Sequence, residues 1–204
     1  MPILTCEIFR VIIFPIPYRI VLLRTSMPPA PAGGLTTILR GSVKVHEIDY
    51  IAVKSVPEAV SLLSQAGDQA RILSGGTDLL VQMREGRRKE KIILDIKPIP
   101  EVNELTYHPV EGLCLGAAVP CLRIIQAEQI ASAYPGLMDA VRLIGGTQIQ
   151  GRASVGGNLC NASPAADTIP ALIVHKATCL VAGPSGQHAV PVEAFCTGPG
   201  QSVL

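Results

Sequence analysis

The stretch from Gly145 to Thr168, GGTQIQGRASVGGNLCNASPAADT, holds five glycines, no aromatic residue and few large aliphatic side chains. A segment this bare is not expected to serve as hydrophobic core, but it lets another molecule lie against backbone. Glycine pairs lift the steric limits on φ and allow successive N–H groups to converge. Ser154, Asn158, Asn161, Ser163 and Asp167 add short polar arms. The chemistry on offer is a cradle for a phosphorylated, polyhydroxylated ligand.

A second glycine turn lies upstream. Ala70-Arg71-Ile72-Leu73 reads as a short strand, Ser74-Gly75-Gly76-Thr77-Asp78 as a tight turn, and Leu79 to Glu85 as a helix that stops at Gly86. Unpaired N–H groups at the first turn of a helix, together with its dipole, favour an anion there. One glycine pair before a helix is as readily a plain tight connection. The pairing with the second stretch turns the reading towards a ligand. Neither turn contains Gly-x-Gly-x-x-Gly, which argues against a plain nicotinamide-binding Rossmann domain.

Bulk properties narrow the class. A chain of 204 residues with a net charge of +1 and 16% charged residues suits one domain of two lobes, and no basic excess points to nucleic acid. The chain is 48% hydrophobic but only 3% aromatic, so the core must be aliphatic and no aromatic platform can stack bases. Cys6, Cys114, Cys121, Cys160, Cys179 and Cys196 form no CxxC or CxxH spacing. They read as buried thiols of a reducing cytoplasm, with no metal site expected. Cys160, inside the cradle, reads as a packing residue first and a redox-sensitive thiol second. His46, His108, His175 and His188 are scattered and form no catalytic cluster.

Residues 1–45 do not read like the rest. Their apolar run, Ile8 to Leu23, is interrupted by Arg10, Pro15, Pro17 and Arg19, and its 16 residues fall short of a membrane span, so no membrane is expected as a partner. The segment is expected to be an N-terminal extension, disordered or upstream of a mis-called start, with the native start at a valine such as Val43 or Val45. A small lobe follows over residues 46–99. Tyr50-Ile51-Ala52 reads as a strand, Ser55-Val56-Pro57-Glu58 as a capping box opening a helix closed by Gly67, and Lys91 to Asp95 as a further strand. With the first glycine turn this makes a parallel βαβαβ unit. The charges Arg84, Arg87, Arg88, Lys89 and Lys91 read as a solvated face. Pro98-Ile99-Pro100 marks the boundary to a larger lobe, 100–204. Here a hairpin is expected over Leu105–Ala117, helices over Cys121–Ile130, Pro135–Ile144 and Ile169–His175, and strands over Thr178–Ala182 and His188–Val192.

Taken together, Ser74-Gly75-Gly76-Thr77-Asp78-Leu79-Leu80, Ala153-Ser154-Val155-Gly156-Gly157-Asn158-Leu159 and Ala162-Ser163-Pro164-Ala165-Ala166-Asp167-Thr168 resemble the FAD-binding subunit of the molybdenum hydroxylases, the family of xanthine dehydrogenase and aerobic carbon monoxide dehydrogenase. The resemblance runs from about Ile48 to the end of the chain. It implies an α+β, two-lobed FAD-binding fold: a small parallel βαβαβ lobe, a larger mixed α/β lobe, and FAD in the cleft between them. It also implies an electron-transfer subunit that works with a large molybdopterin-binding subunit and a small iron-sulfur subunit, and that hands electrons to NAD+ or another acceptor.

Carried over by position, the resemblance assigns Ile72, Leu73, Ser74, Gly75, Gly76, Thr77, Asp78 and Leu79 to the FAD diphosphate. Ile144, Ala153, Ser154, Gly157, Asn158 and Asp167 complete the cofactor site, and no catalytic acid or base is expected. A carboxylate such as Asp167 suits ribose or ribityl hydroxyls and would be a poor neighbour for phosphate. Asp78 has the same difficulty, so Asp78 or Thr77 is expected to cap the helix. Two departures stand out. The family usually has Arg-Asn-Arg where this chain has Gln150-Gly151-Arg152, and it carries a further domain after a segment like Thr197-Gly198-Pro199-Gly200, so the large lobe is expected to be truncated. Two rivals remain: a flavoenzyme like UDP-N-acetylenolpyruvoylglucosamine reductase, whose glycine turn is followed by Asn-Leu-Leu where this chain has Asp78, and a non-catalytic scaffold that never binds flavin.

Overall fold

The computed structural model describes residues 10–13 and 47–204. Residues 1–9 and 14–46, with Cys6, His46 and the proposed starts Val43 and Val45 among them, lie outside the described residues. Between them Arg10–Ile13 form a strand, β1. The run Arg-Val-Ile-Ile is mostly β-branched, which suits a strand.

The next five elements are β2 (Asp49–Ala52), α1 (Val56–Ala66), β3 (Ala70–Leu73), α2 (Leu79–Arg84) and β4 (Ile92–Asp95). They build a three-stranded parallel sheet in the order β2-β4-β3. Ser55 starts α1: its hydroxyl accepts from the N–H of Glu58 at 3.3 Å, while the Glu58 carboxylate reaches back to the N–H of Lys54 at 2.7 Å. Gly67, with φ +52°, ends the helix in a conformation that side chains disfavour. The apolar positions Val56, Ala59 and Leu63 fall on one stripe and bury it against the sheet.

The remaining chain begins with the hairpin β5 (Leu105–His108) and β6 (Gly112–Gly116). Five helices follow: α3 (Cys121–Ile125), α4 (Glu128–Ala133), α5 (Pro135–Arg142), α6 (Thr147–Gln150) and α7 (Val155–Asn161). The single helix expected over Cys121–Ile130 is broken at Ala127, whose backbone is extended. On an unbroken helix Ile124 and Ile130 would sit about 120° apart around the axis. The break lets both turn inward, at 0% and 3% exposure. Then come α8 (Thr168–Val174), the antiparallel pair β7 (Thr178–Gly183) and β8 (Gly186–Pro191), the single turn α9 (Val192–Phe195), and a small hairpin of β9 (Cys196–Gly198) and β10 (Gln201–Ser202). A five-stranded mixed sheet results, in the order β5-β6-β1-β7-β8, with β1 parallel to both neighbours.

The two sheets do not meet across a loose linker. Ile99 of the Pro-Ile-Pro boundary is fully buried, and it shares one core cluster with Leu63 and Leu94 on one side and Ala118 and Ala182 on the other. Backbone bonds tighten the joint: the N–H of Ala118 donates to Val102 O at 2.8 Å and that of Gly116 to Glu104 O at 2.7 Å. A larger aliphatic cluster, with Tyr134 and Phe195 at its centre, fills the space between the five-stranded sheet and the helices.

Candidate functional site

Half of the glycine-rich stretch is helix, and part of it enters the core, which corrects the expectation that so bare a segment would not. Ser154 caps α7 by accepting from the N–H of Gly157 at 3.1 Å. Val155 and Leu159 then enter the main core at 1% and 0% exposure. The apolar content of the segment, sparse as it is, falls four residues apart and so makes one buried stripe. Ala162 ends the helix with φ +45°.

The cap of α7 touches the upstream turn. The hydroxyls of Ser74 and Ser154 lie 2.8 Å apart, and Ser74 Oγ also donates to the carbonyl of Ala117 at 3.2 Å. Arg152 holds Gly75 from two sides. Its Nε donates to Gly75 O at 3.3 Å, and its own carbonyl lies 2.3 Å from where a Gly75 Cβ would be. Gly156 likewise crosses Ala117 so closely that a Cβ would stand 2.6 Å from that residue's Cα. These two glycines are therefore required by backbone meeting backbone. Gly76 has a different reason, a φ of +83°.

Both turns line one cleft. Of the run Ile72 to Leu79 all but Leu73 face it, and Ile144, Ala153, Ser154, Gly157 and Asn158 complete the expected set. Leu73 is 6% exposed and packs beneath the turn, its Cδ1 against Gly76. Asp167 does not line the cleft either: it is exposed, at the start of α8. Its neighbour Thr168 donates through Oγ1 to Asn158 Oδ1 at 2.6 Å. Asp78 holds the cap position just before α2 but makes no capping bond, because its backbone is already helical and not extended. Among the described residues, the N–H groups of Gly75, Gly76, Thr77 and Asp78 find no acceptor. Four open donors on the cleft wall fit a diphosphate.

Charge is distributed along the cleft. At one end Arg71 donates through Nε and Nη2 to Glu90 Oε1 at 2.9 and 2.8 Å, and Arg88 Nη1 approaches the same oxygen at 3.4 Å. Two guanidinium groups on one carboxylate leave that end net positive. Burial pushes the Glu90 carboxyl up, but its own backbone N–H and Arg71 outweigh burial and hold it below the usual range. Beneath the turn, Asp95 accepts from Lys97 Nζ at 2.5 Å and from the Tyr50 hydroxyl, while Lys97 also donates to Ser74 O at 3.2 Å. Burial raises the Asp95 carboxyl; these hydrogen bonds overcome it and leave the group depressed. The Tyr50 hydroxyl is pushed up, chiefly because it donates to Asp95.

Several lining residues were not anticipated. Gln82 lies one turn beyond Leu79 on α2, a helical spacing that could have found it. Arg88 was hidden in what reads as a solvated charge run, and Arg71 in what reads as a plain strand. Ser202 and Leu204 reach the cleft only because Gly200 N–H donates to Ala162 O at 2.8 Å and folds the last hairpin over α7; no sequence pattern announces that. Gln150, where the family has a charged residue, donates through Nε2 to Arg142 O and Gly145 O at 3.0 and 3.3 Å and ties down the end of α5. Cys160 lines the cleft, and burial pushes its thiol up; Cys121 and Cys179 are pushed up to about 12 by burial. Among the described residues, no group of three His, Cys, Asp or Glu side chains could hold a metal ion, and no helix is long and apolar enough to cross a membrane.

Known proteins resemble this chain over most of its described residues. The family described as "FAD binding domain in molybdopterin dehydrogenase" matches residues 45–204. The xanthine dehydrogenase FAD-binding subunit of Escherichia coli O157:H7 is 31% identical over 155 residues, 76% of this chain and 53% of that protein. The carbon monoxide dehydrogenase medium chain of Hydrogenophaga pseudoflava is 32% identical over 158 residues, 76% of this chain and 54% of that one. The chain thus spans about half the length of the curated relatives it matches. Among solved structures, carbon monoxide dehydrogenase from H. pseudoflava superposes with a TM-score of 0.73 at 31% identity, over 78% of this chain and 55% of the other. Quinoline 2-oxidoreductase from Pseudomonas putida 86 shares the fold, with a TM-score of 0.74 at 24% identity, over 79% of this chain and 56% of the other. The chain belongs to the family of FAD-binding domains of molybdopterin dehydrogenases.

Proposed function

We propose that this chain binds FAD in the cleft between its two sheets and serves as the flavin-carrying subunit of a molybdenum-containing hydroxylase. Its place is between iron-sulfur clusters on a small partner subunit, fed by a large molybdopterin-binding subunit, and NAD+ or another acceptor. One observation carries the proposal. Two glycine turns distant in the chain meet at Ser74 and Ser154 and line one cleft, with open backbone donors along its wall.

The residues fit the cofactor by chemistry. The N–H groups from Gly75 to Asp78 suit the diphosphate, the positive end at Arg71 and Arg88 favours an anionic ligand, and Ser154 and Asn158 offer hydroxyl and amide groups to a polyol. FAD, when bound, supplies the electron exchange. The chain supplies position and electrostatics: Arg152 locks the two turns at a fixed separation, and Asp95 with Lys97 holds the Ser74 carbonyl from below. No side chain is assigned a catalytic role.

The test is the purified chain itself. Oxidised flavin absorbs at about 450 nm. Yellow protein, or colourless protein that takes up added FAD in a titration, is the expected result. Protein that stays colourless and gives no binding heat with FAD would favour the inert scaffold.

A further inference from the structure

The sheet carrying the larger core is complete only because of β1. Its order, β5-β6-β1-β7-β8, places Arg10–Ile13 between two antiparallel hairpins that share no other ladder. Without that strand β6 and β7 would face each other as open edges, each presenting unpaired N–H and C=O groups. Those edges lie deep in the protein: Leu113, Leu115, Cys179 and Val181 are all fully buried. The run Val11-Ile12-Ile13 is β-branched throughout, which suits a strand placed between two others.

The strand comes from outside the segment that defines the family. The family match begins at residue 45, and β1 is joined to β2 through residues 14–48. It also runs beside α7, the helix that presents Ser154, Gly157 and Asn158 to the cleft, and beside the turn Glu101–Asn103. From this placement we infer that the gap between β6 and β7 is a strand-acceptor site, that Arg10–Ile13 occupies it as an intramolecular ligand, and that its occupancy holds α7 in the geometry of the cleft. What the site recognises is an extended segment of strand-forming sequence, through parallel backbone pairing. Because the strand and its acceptor belong to one chain, pairing is intramolecular and does not depend on protein concentration. The link to α7 bears on flavin only if the proposed function holds; the acceptor site itself does not depend on it.

Register offers a direct test in the full chain. Arg10 pairs with Cys114 on β6. Neighbouring strands lie about 4.8 Å apart, within the span a disulfide bridges. An Arg10→Cys chain treated with diamide, which takes up the two electrons and two protons of the thiols, is expected to form a bond between positions 10 and 114 of one molecule, identified by peptide mass mapping. A bond joining two molecules, or none to Cys114, overturns the assignment.

Coupling is read by amide hydrogen exchange. Ile12→Pro removes an N–H from the strand. It is expected to raise exchange at least tenfold in β6, β7 and α7, and a peptide of the sequence from Glu7 to Ile16 is expected to restore protection. If wild type takes up FAD, the same variant should bind it at least tenfold more weakly, with rescue by the peptide. Should wild type fail to bind FAD, the flavin proposal falls while the exchange data still decide the strand site. Wild-type protection of β6, β7 and α7 in the Ile12→Pro chain overturns the inference.

Discussion

Gly75 has no room for a side chain, and the obstruction is protein rather than ligand. A Cβ there would stand 2.3 Å from the carbonyl of Arg152, so Gly75→Ala must push the two turns apart. Overpacking of this kind costs about 1–3 kcal/mol, and thermal unfolding should report it together with a loss of FAD uptake. Gly136, in open space on α5, is the contrast: alanine there should be neutral or stabilising by up to about 1 kcal/mol. The identity of these glycines was legible in the sequence, but their reason was not. Spacing shows that a turn needs glycine; it does not show whether backbone or cofactor comes close. Asp95 gives a second residue-scale outcome. Its carboxyl is depressed in the folded chain below an ordinary value of 3.8. The stability it contributes is therefore present above that value and lost as pH falls through the folded one. Denaturant unfolding between neutral pH and pH 3 should show a stability loss in wild type that is flattened in Asp95→Asn.

At the scale of elements, α7 does two things with one side chain. Ser154 caps the helix and meets Ser74 of the opposite turn. Ser154→Ala should cost about 1 kcal/mol for the cap. That corresponds to a fall of about 2–4 °C in Tm for a chain of this size, measurable by calorimetry. Flavin affinity should drop as well, since the link between the turns goes with it. The parallel unit from β2 to β4 could be read almost residue by residue, because a capping box, two closing glycines and β-branched strands all signal locally. α7 could not. Glycine and asparagine are poor helix formers, and the helix exists because Gly156 permits a close crossing over Ala117 while Val155 and Leu159 are buried by tertiary packing. The break at Ala127 escaped for a related reason: it is set by where Ile124 and Ile130 must point, which no local spacing states.

For the whole molecule, the two sheets are bound by shared core more than by the prolines at their boundary. Ile99, Val102, Ala118 and Ala182 sit in a cluster with Leu63 and Leu94, so the sheets should lose structure together. Far-UV circular dichroism and tyrosine fluorescence are expected to trace one coincident unfolding transition; two separated midpoints would mean independent lobes. The prolines suggested a boundary, and only packing reveals that the chain on either side of it is one unit. The strand at Arg10–Ile13 is the longest step from sequence to structure, since an interrupted apolar run gives no hint of the distant edges it joins. The cleft also takes part of its wall from Ser202 and Leu204, beyond the last hairpin turn at Gly200. Whatever is attached at Leu204 stands at the rim of that cleft and competes with anything entering it, whereas a label set on the turn around Gly183–Gly186, between β7 and β8, leaves the rim as it is.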